Sequence, residues 1–142
     1  FSMEFTELYQ KALEVLHPRQ VSEDIEAGGV AAALVTDQEN VYQGVCIDTA
    51  CSMGFCAEHA AIAAMLTAGE NRVEKIVAVN WNRDILPPCG RCREFLMQLD
   101  PRNRDLEILV DYESRQTVTL GELMPAWWGE PRYRASAEPS AE

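Results

Sequence analysis

Two short segments of the chain hold residue types that could do chemistry together. Cys56-Ala57-Glu58 opens an alanine-rich stretch. Pro87-Pro88-Cys89-Gly90-Arg91-Cys92-Arg93 opens a second stretch of helical periodicity. Each stands just after a strand-to-helix turn, so three thiols are expected at two helix N-termini. A helix N-terminus offers free N–H groups and a partial positive charge. Both favour thiolate over thiol, and thiolate is the form that binds metal. Three protein ligands on Zn²⁺ leave a fourth position for water, which is the catalytic arrangement. Glu58, two residues past Cys56, can then stand beside the metal without ligating it and carry a proton.

Other readings of these residues stay open at this stage. Cys56, Cys89 and Cys92 could be buried free thiols, although that leaves their placement at two helix starts unexplained. Glu58 could be an ordinary acid favoured in a helix's first turn. Cys51 could complete four thiolates and close the site in a non-enzymatic binding protein. Cys89-x-x-Cys92 could be a redox pair, since such pairs also open helices, but Cys56 and Glu58 would then have no role. Cys46 and Cys51 read as small hydrophobes, the usual part of a free cysteine. His17, ahead of Pro18, reads as exposed or structural. Arg91 reads as a surface or interface residue, with substrate contact as the alternative.

The elements that must position these groups follow from periodicity. Phe5, Leu8, Ala12, Val15 and Leu16 lie at helical spacing over 4–16, and Pro18 ends that helix. Residues 29–36 read as a strand buried on both faces. A turn at 37–40 and alternation over 41–48 complete a hairpin. Residues 56–68 form an alanine-rich helix closed by Gly69. Strands are expected at 73–81 and 106–112, a helix at 90–99, and a fifth strand at 116–120. A short helix is expected from Leu120 to Trp128. Residues 1–129 read as a single domain and 130–142 as a polar tail.

Composition limits the classes of function. The chain has 142 residues, 47% hydrophobic and 25% charged, which suits one globular domain with a real core. Its formal net charge of −11 disfavours a polynucleotide or an anionic membrane as partner. The longest apolar run, 28–35, is far short of the ~20 residues that span a bilayer. The N-terminal stretch carries Glu4, Glu7, Lys11 and Glu14 rather than a signal-type apolar run. The expectation is a cytoplasmic protein whose five cysteines stay reduced.

With these residues in hand, the sequence resembles the cytidine deaminase family from about Val30 to Trp128. The resemblance rests on Ala31-Ala32-Ala33-Leu34, Cys56-Ala57-Glu58, Pro88 through Arg93, and Leu120-Gly121-Glu122-Leu123-Met124-Pro125. A His or Cys, then x-Glu, then Pro-Cys-x-x-Cys, is the signature of zinc nucleobase deaminases. The stretch Asn82 to Arg93 is most similar to the blasticidin S deaminase branch. The resemblance implies a three-layer α/β/α sandwich around a five-stranded mixed sheet, assembled as a homotetramer. It implies one zinc per subunit on Cys56, Cys89 and Cys92, and hydrolytic release of ammonia from a small aminopyrimidine or related heterocycle. Water activated at the zinc would be the nucleophile, with Glu58 as the proton shuttle.

The resemblance also assigns substrate contacts to Cys46, Asp48 and Ala57, and lets Trp127 and Trp128 cap a neighbouring subunit's pocket, with ordinary interface or core packing as the alternative. Cys46-Ile47-Asp48 stands where the family carries an Asn-x-Glu pair for the ribose hydroxyl, and a thiol is a poor hydroxyl partner. An aromatic residue that the family places beside the base falls here near Gly28-Gly29, so either the pocket is wider there or another residue fills it. His59 follows Glu58 where the family often has Arg. Three thiolates on Zn²⁺ make a weak Lewis acid unless neighbours donate to sulfur. Arg93, or protonated His59, is the expected donor.

Overall fold

Residues 3–130 are described by a computed structural model. They run as α1 (Phe5–Val15), β1 (Arg19–Gln20), β2 (Glu26–Thr36), β3 (Val41–Asp48), α2 (Ala57–Thr67), β4 (Val73–Val79), α3 (Gly90–Leu99), β5 (Glu107–Asp111) and β6 (Gln116–Thr119). The long strands order as β3-β2-β4-β5-β6. Only β4 and β5 run parallel, joined through α3. The two-residue β1 pairs with Glu26 and Ala27, at the end of β2 that β4 does not reach.

Alternation along β2 divides the interior into two cores. Ala31, Ala33 and Val35 face α1 and pack with Phe5, Leu8 and Ala12. Leu34 faces the opposite way and packs with Ala61, Ile62 and Met65 of α2 and with Leu96 and Met97 of α3. Side chains on a strand alternate between faces, so a strand covered by helices on both sides reads as a continuous apolar run. The result is the expected α/β/α sandwich. Full burial of each large aliphatic side chain contributes about 1.5–3 kcal/mol.

The position of α2 is set by small residues. A Cβ added to Gly44 of β3 would lie 2.6 Å from the Ala57 carbonyl oxygen and 2.7 Å from the Ala60 Cβ. Glycine against alanine therefore seats the start of α2 directly on the hairpin. At its far end, Gly69 adopts φ +90° and its N–H bonds the Leu66 carbonyl, closing the helix where the sequence placed the stop.

Three expectations need correction. The sheet has a sixth, very short strand, β1. Its two residues are exposed and polar, so no periodicity marks it. Strand β2 starts at Glu26 rather than 29, through a register shift between Ala27 and Ala31. Gly28 makes that shift, at φ +81° and pressed against the His17 carbonyl. The helix expected over Leu120–Trp128 is only a 3-10 turn, Gly121–Leu123. Pro125 lies just past that turn and Ala126 takes a positive φ of 54°, so helical geometry does not continue. Of the polar tail, residues 131–142 lie outside the described residues.

Candidate metal centre

Cys56 occupies the N-cap of α2 and Cys89 the N-cap of α3, both with extended backbone. Neither side chain caps its own helix, so both sulfurs are left to point toward each other. Cys92 sits in the first turn of α3 and is buried. The Sγ atoms of Cys56 and Cys89 lie 3.2 Å apart, and those of Cys89 and Cys92 lie 3.7 Å apart. All three fall within 4.8 Å of one another. Tetrahedral zinc with Zn–S near 2.3 Å needs sulfurs about 3.8 Å apart. The donor set therefore fits one Zn²⁺.

The electrostatics of the trio point the same way. Burial pushes the Cys56 thiol up to about 11, with the neighbouring Cys89 adding to the shift. Burial and the charges of Glu58, Cys56 and Cys89 push Cys92 up as well. Burial also opposes ionisation of Cys89, but the Cys92 backbone N–H, hydrogen bonds from Cys56 and Cys92, and the Arg91 N–H pull it below the usual thiol value. The helix-terminus effect is thus visible at Cys89 alone. Three thiolates at this spacing repel each other, and a dication among them relieves that repulsion.

Glu58 lies in the first turn of α2 and is only 5% exposed. Burial raises its carboxyl above the usual range, and its own backbone N–H offsets only part of that. A cavity of about 520 Å³ opens beside it. Cys56, Ala57, Glu58 and Cys89 line this cavity, together with Cys46 and Asp48 of β3 and Gly29 and Val30 of the adjacent β2. Phe55, Trp81 and Arg91 also line it. Arg91 donates to the Gly54 carbonyl at 3.3 Å. Cys51 is exposed and does not belong to the sulfur cluster among the described residues.

The structure brings Cys56, Cys89, Cys92, Glu58, Ala57, Cys46 and Asp48 to one place. It separates others from it. The Arg93 guanidinium donates to the Pro88 carbonyl at 2.7 Å and to the Leu123 carbonyl at 3.5 Å, not to sulfur. Arg93 therefore pins the loop before Cys89. His59 is clamped between Phe55 and Phe95, with ring centroids at 5.1 and 4.8 Å. Burial and the nearby Arg91 charge lower its pKa, so a protonated His59 donating to thiolate is disfavoured. Trp127 is buried in the core under α3, its Nε1 on the Glu94 carboxylate at 3.0 Å. Trp128 is exposed, its Nε1 on the same carboxylate. Neither lines the cavity. Cys46 is half-buried, and its Sγ accepts the Val30 N–H at 3.2 Å. Sequence reasoning passed over Phe55 and Trp81. The one available signal was their position, Phe55 next to Cys56 and Trp81 at the end of the strand expected over 73–81, which stops at Val79.

Sulfur ligands at two helix starts, a buried carboxyl with a raised pKa and a roomy cavity beside both describe a zinc hydrolase able to move protons. Comparison with known proteins agrees. Residues 4–104 match the cytidine and deoxycytidylate deaminase zinc-binding region. The chain is 31% identical over 101 residues to a cytidine deaminase of Mycobacterium tuberculosis, spanning 70% of this chain and 72% of that one. It is 32% identical over 98 residues to the Halalkalibacterium halodurans cytidine deaminase, spanning 68% and 74%. The crystal structure of the M. tuberculosis cytidine deaminase superposes with a TM-score of 0.73 at 25% identity, over 90% of this chain and 99% of that one. The chain belongs to the cytidine and deoxycytidylate deaminase family. It is a zinc-dependent deaminase, a hydrolase acting on amidines, and the Cys56, Cys89 and Cys92 cluster can hold its one zinc.

Proposed function

We propose that this chain deaminates a free aminopyrimidine nucleoside or a related heterocycle, releasing ammonia. Cys56, Cys89 and Cys92 hold the zinc, and Glu58 moves the protons. The observation that carries this reading is the Glu58 carboxyl, buried in the cavity wall near the three sulfurs with its pKa raised. Bound zinc supplies Lewis acidity and draws the pKa of water toward ~7. Glu58 accepts the proton of the attacking water and passes it to the ring nitrogen. It then takes the remaining proton of the hydroxyl added to the ring carbon and delivers it to the leaving amine, so that the carbonyl forms as the C–N bond breaks and ammonia departs. One carboxyl that works first as base and then as acid needs a pKa closer to neutral than an exposed glutamate has, and burial provides that.

Cys46 and Asp48 in the cavity wall support recognition of something other than a standard ribose. Cys46 already accepts a backbone N–H, so it offers little to a hydroxyl. With the Asn82–Arg93 stretch, this favours a blasticidin S deaminase-like specificity over strict cytidine specificity. The net charge of −11 supports a small-molecule substrate rather than a nucleic acid polymer. No helix among the described residues is long and apolar enough to cross a membrane. A cytoplasmic homotetramer is the assembly proposed, and the exposed Trp128, rather than the core residue Trp127, is the indole placed to meet a neighbouring subunit. The test is ammonia release by zinc-loaded protein from cytidine, deoxycytidine, cytosine and blasticidin S. Release from at least one, abolished in Glu58→Ala, is expected. Release that survives Glu58→Ala would refute the proton-carrying role.

A further inference from the structure

The loop between β4 and α3 is tied to α1, which lies on the face of the sheet opposite α3. This loop brings Trp81, Leu86 and Pro87 to the wall of the catalytic cavity and ends at Cys89. Its base is held from within. The Asn80 side chain accepts the Asn82 and Asp84 N–H groups at 2.9 and 3.0 Å, and the Leu86 N–H returns to the Ala78 carbonyl at 2.9 Å. The tip is less favourable. Arg83 takes a positive φ of 69°, which a residue with a Cβ disfavours. A cavity of about 440 Å³, lined by Asn82, Arg83, Asp84 and Tyr112, leaves the tip unpacked on one side. Tyr9 of α1 reaches that tip. Its hydroxyl donates to the Arg83 carbonyl at 2.8 Å, across 74 positions of sequence. Among the described residues, no other hydrogen bond joins residues 81–84 to a different element. The Tyr9 ring is itself fixed, 4.3 Å from the Tyr112 ring, which carries the Arg115 guanidinium at 3.9 Å.

We propose that Tyr9 is a positioning residue for the reaction in the catalytic cavity, although it does not line that cavity. Through the Arg83 carbonyl it holds the loop tip, and the tip holds Trp81. Trp81 is two residues from Arg83 and 63% exposed. Its indole makes no hydrogen bond or ring contact among the described residues, so its place in the cavity wall depends on the loop backbone. A wall in place only part of the time lowers apparent affinity by that fraction. Zinc ligation does not hang on the same bond, because Arg93 pins the Pro88 carbonyl between the tip and Cys89. The effect therefore falls on KM rather than on kcat or bound zinc. The role rests on the deaminase reading above, which supplies the reaction whose KM is at issue.

The experiment uses zinc-loaded Tyr9→Phe, Trp81→Ala and the double variant. Tyr9→Phe removes the hydroxyl and keeps the ring on Tyr112. Ammonia release is measured on whichever of cytidine, deoxycytidine, cytosine and blasticidin S the parent turns over fastest. Tyr9→Phe is expected to raise KM about 2–10-fold, the usual net worth of one hydrogen bond, with kcat and zinc content near those of the parent. Amide hydrogen exchange over 80–86 should speed up while that over 90–99 stays as in the parent. A Tyr9 that merely stabilised the fold would leave KM alone and speed exchange in both segments. In the Trp81→Ala background, Tyr9→Phe should have little further effect on KM, since both changes act on one wall. An unchanged KM in Tyr9→Phe would overturn the proposal. So would unchanged exchange over 80–86, or effects of the two substitutions that simply add. Silence of the parent on all four compounds would overturn the deaminase reading and the positioning role together, whereas the other failures leave that reading standing.

Discussion

Helix α2 carries a buried carboxylate at each end, and the two are treated oppositely. Glu70, just past its C-terminus, is 8% exposed, and Glu58, in its first turn, is 5% exposed. Burial alone would raise both. Glu70 accepts the Tyr42 hydroxyl at 2.6 Å and the Asn40 amide at 2.9 Å, with Thr36 also donating, and together these bring it below the usual carboxylate value. Glu58 has only its own backbone N–H to lower it and stays raised. The comparison shows that burial does not distinguish a structural acid from a reactive one. What distinguishes them is whether side-chain donors offset the cost of the charge: Glu70 Oε2 accepts two such bonds, although its Oε1 is buried without one, and Glu58 has only its own backbone N–H. Glu70 is committed to tying the β2–β3 hairpin to the helix end. Glu58 has bonding capacity left for a proton in transit.

The largest effect expected lies at the sulfurs that stand beside Glu58. Cys89→Ala or Cys92→Ala should lower bound zinc from one per chain to near none, with complete loss of ammonia release; metal analysis checks this. A variant that kept its zinc would break the three-thiolate assignment. At the opposite end of α2, Glu70→Gln should lower stability by about 1–3 kcal/mol, the cost of disturbing a buried hydrogen-bonded group. Its kcat below the melting range should stay near that of the parent. Urea denaturation alongside the activity assay checks both.

A smaller effect concerns pH. The folded pKa of Glu70 lies below its unfolded value of about 4.3, so its contribution is fully present above that value. It is lost as pH falls through the folded pKa. Denaturation midpoints of the parent should therefore drop more between pH 5 and pH 3 than those of Glu70→Gln. Asp100, lowered by Arg102, and Asp111, lowered by Ser114, titrate in the same direction in both proteins. The difference between parent and variant isolates Glu70. The smallest effect is that of Cys51→Ser. With Cys51 exposed and outside the sulfur cluster, zinc content and turnover should not change. A loss of zinc in that variant would favour a closed four-sulfur site.

The α/β/α sandwich was legible because β2 is apolar on both faces and α1 is periodic, and both patterns survive in the packed cores. The gathering of Cys56, Cys89 and Cys92 was legible because a cysteine at a strand-to-helix turn has few places to go. Contacts decided by loops were not. Arg93 was expected on sulfur, but its reach from the first turn of α3 ends at the Pro88 carbonyl. Trp127 was read either as a cap on a neighbouring subunit's pocket or as core packing, and within the chain its indole packs in the local core with Nε1 on Glu94 of α3. Asn103 went unread altogether. It is wholly buried, accepting the Val73 N–H and donating to the Asn71 and Leu96 carbonyls. A single polar residue in a 3-10 turn carries no periodicity, so only the fold shows that it joins the start of β4 to α3.

The central claim is that Glu58 moves protons beside a zinc held by three thiolates. The most direct measurement is kcat for ammonia release by zinc-loaded Glu58→Gln, with zinc quantified in the same sample. The account predicts a fall of about 10²–10⁴-fold, the usual contribution of a positioned acid–base group, at one zinc per chain. Turnover near that of the parent at full zinc would contradict it.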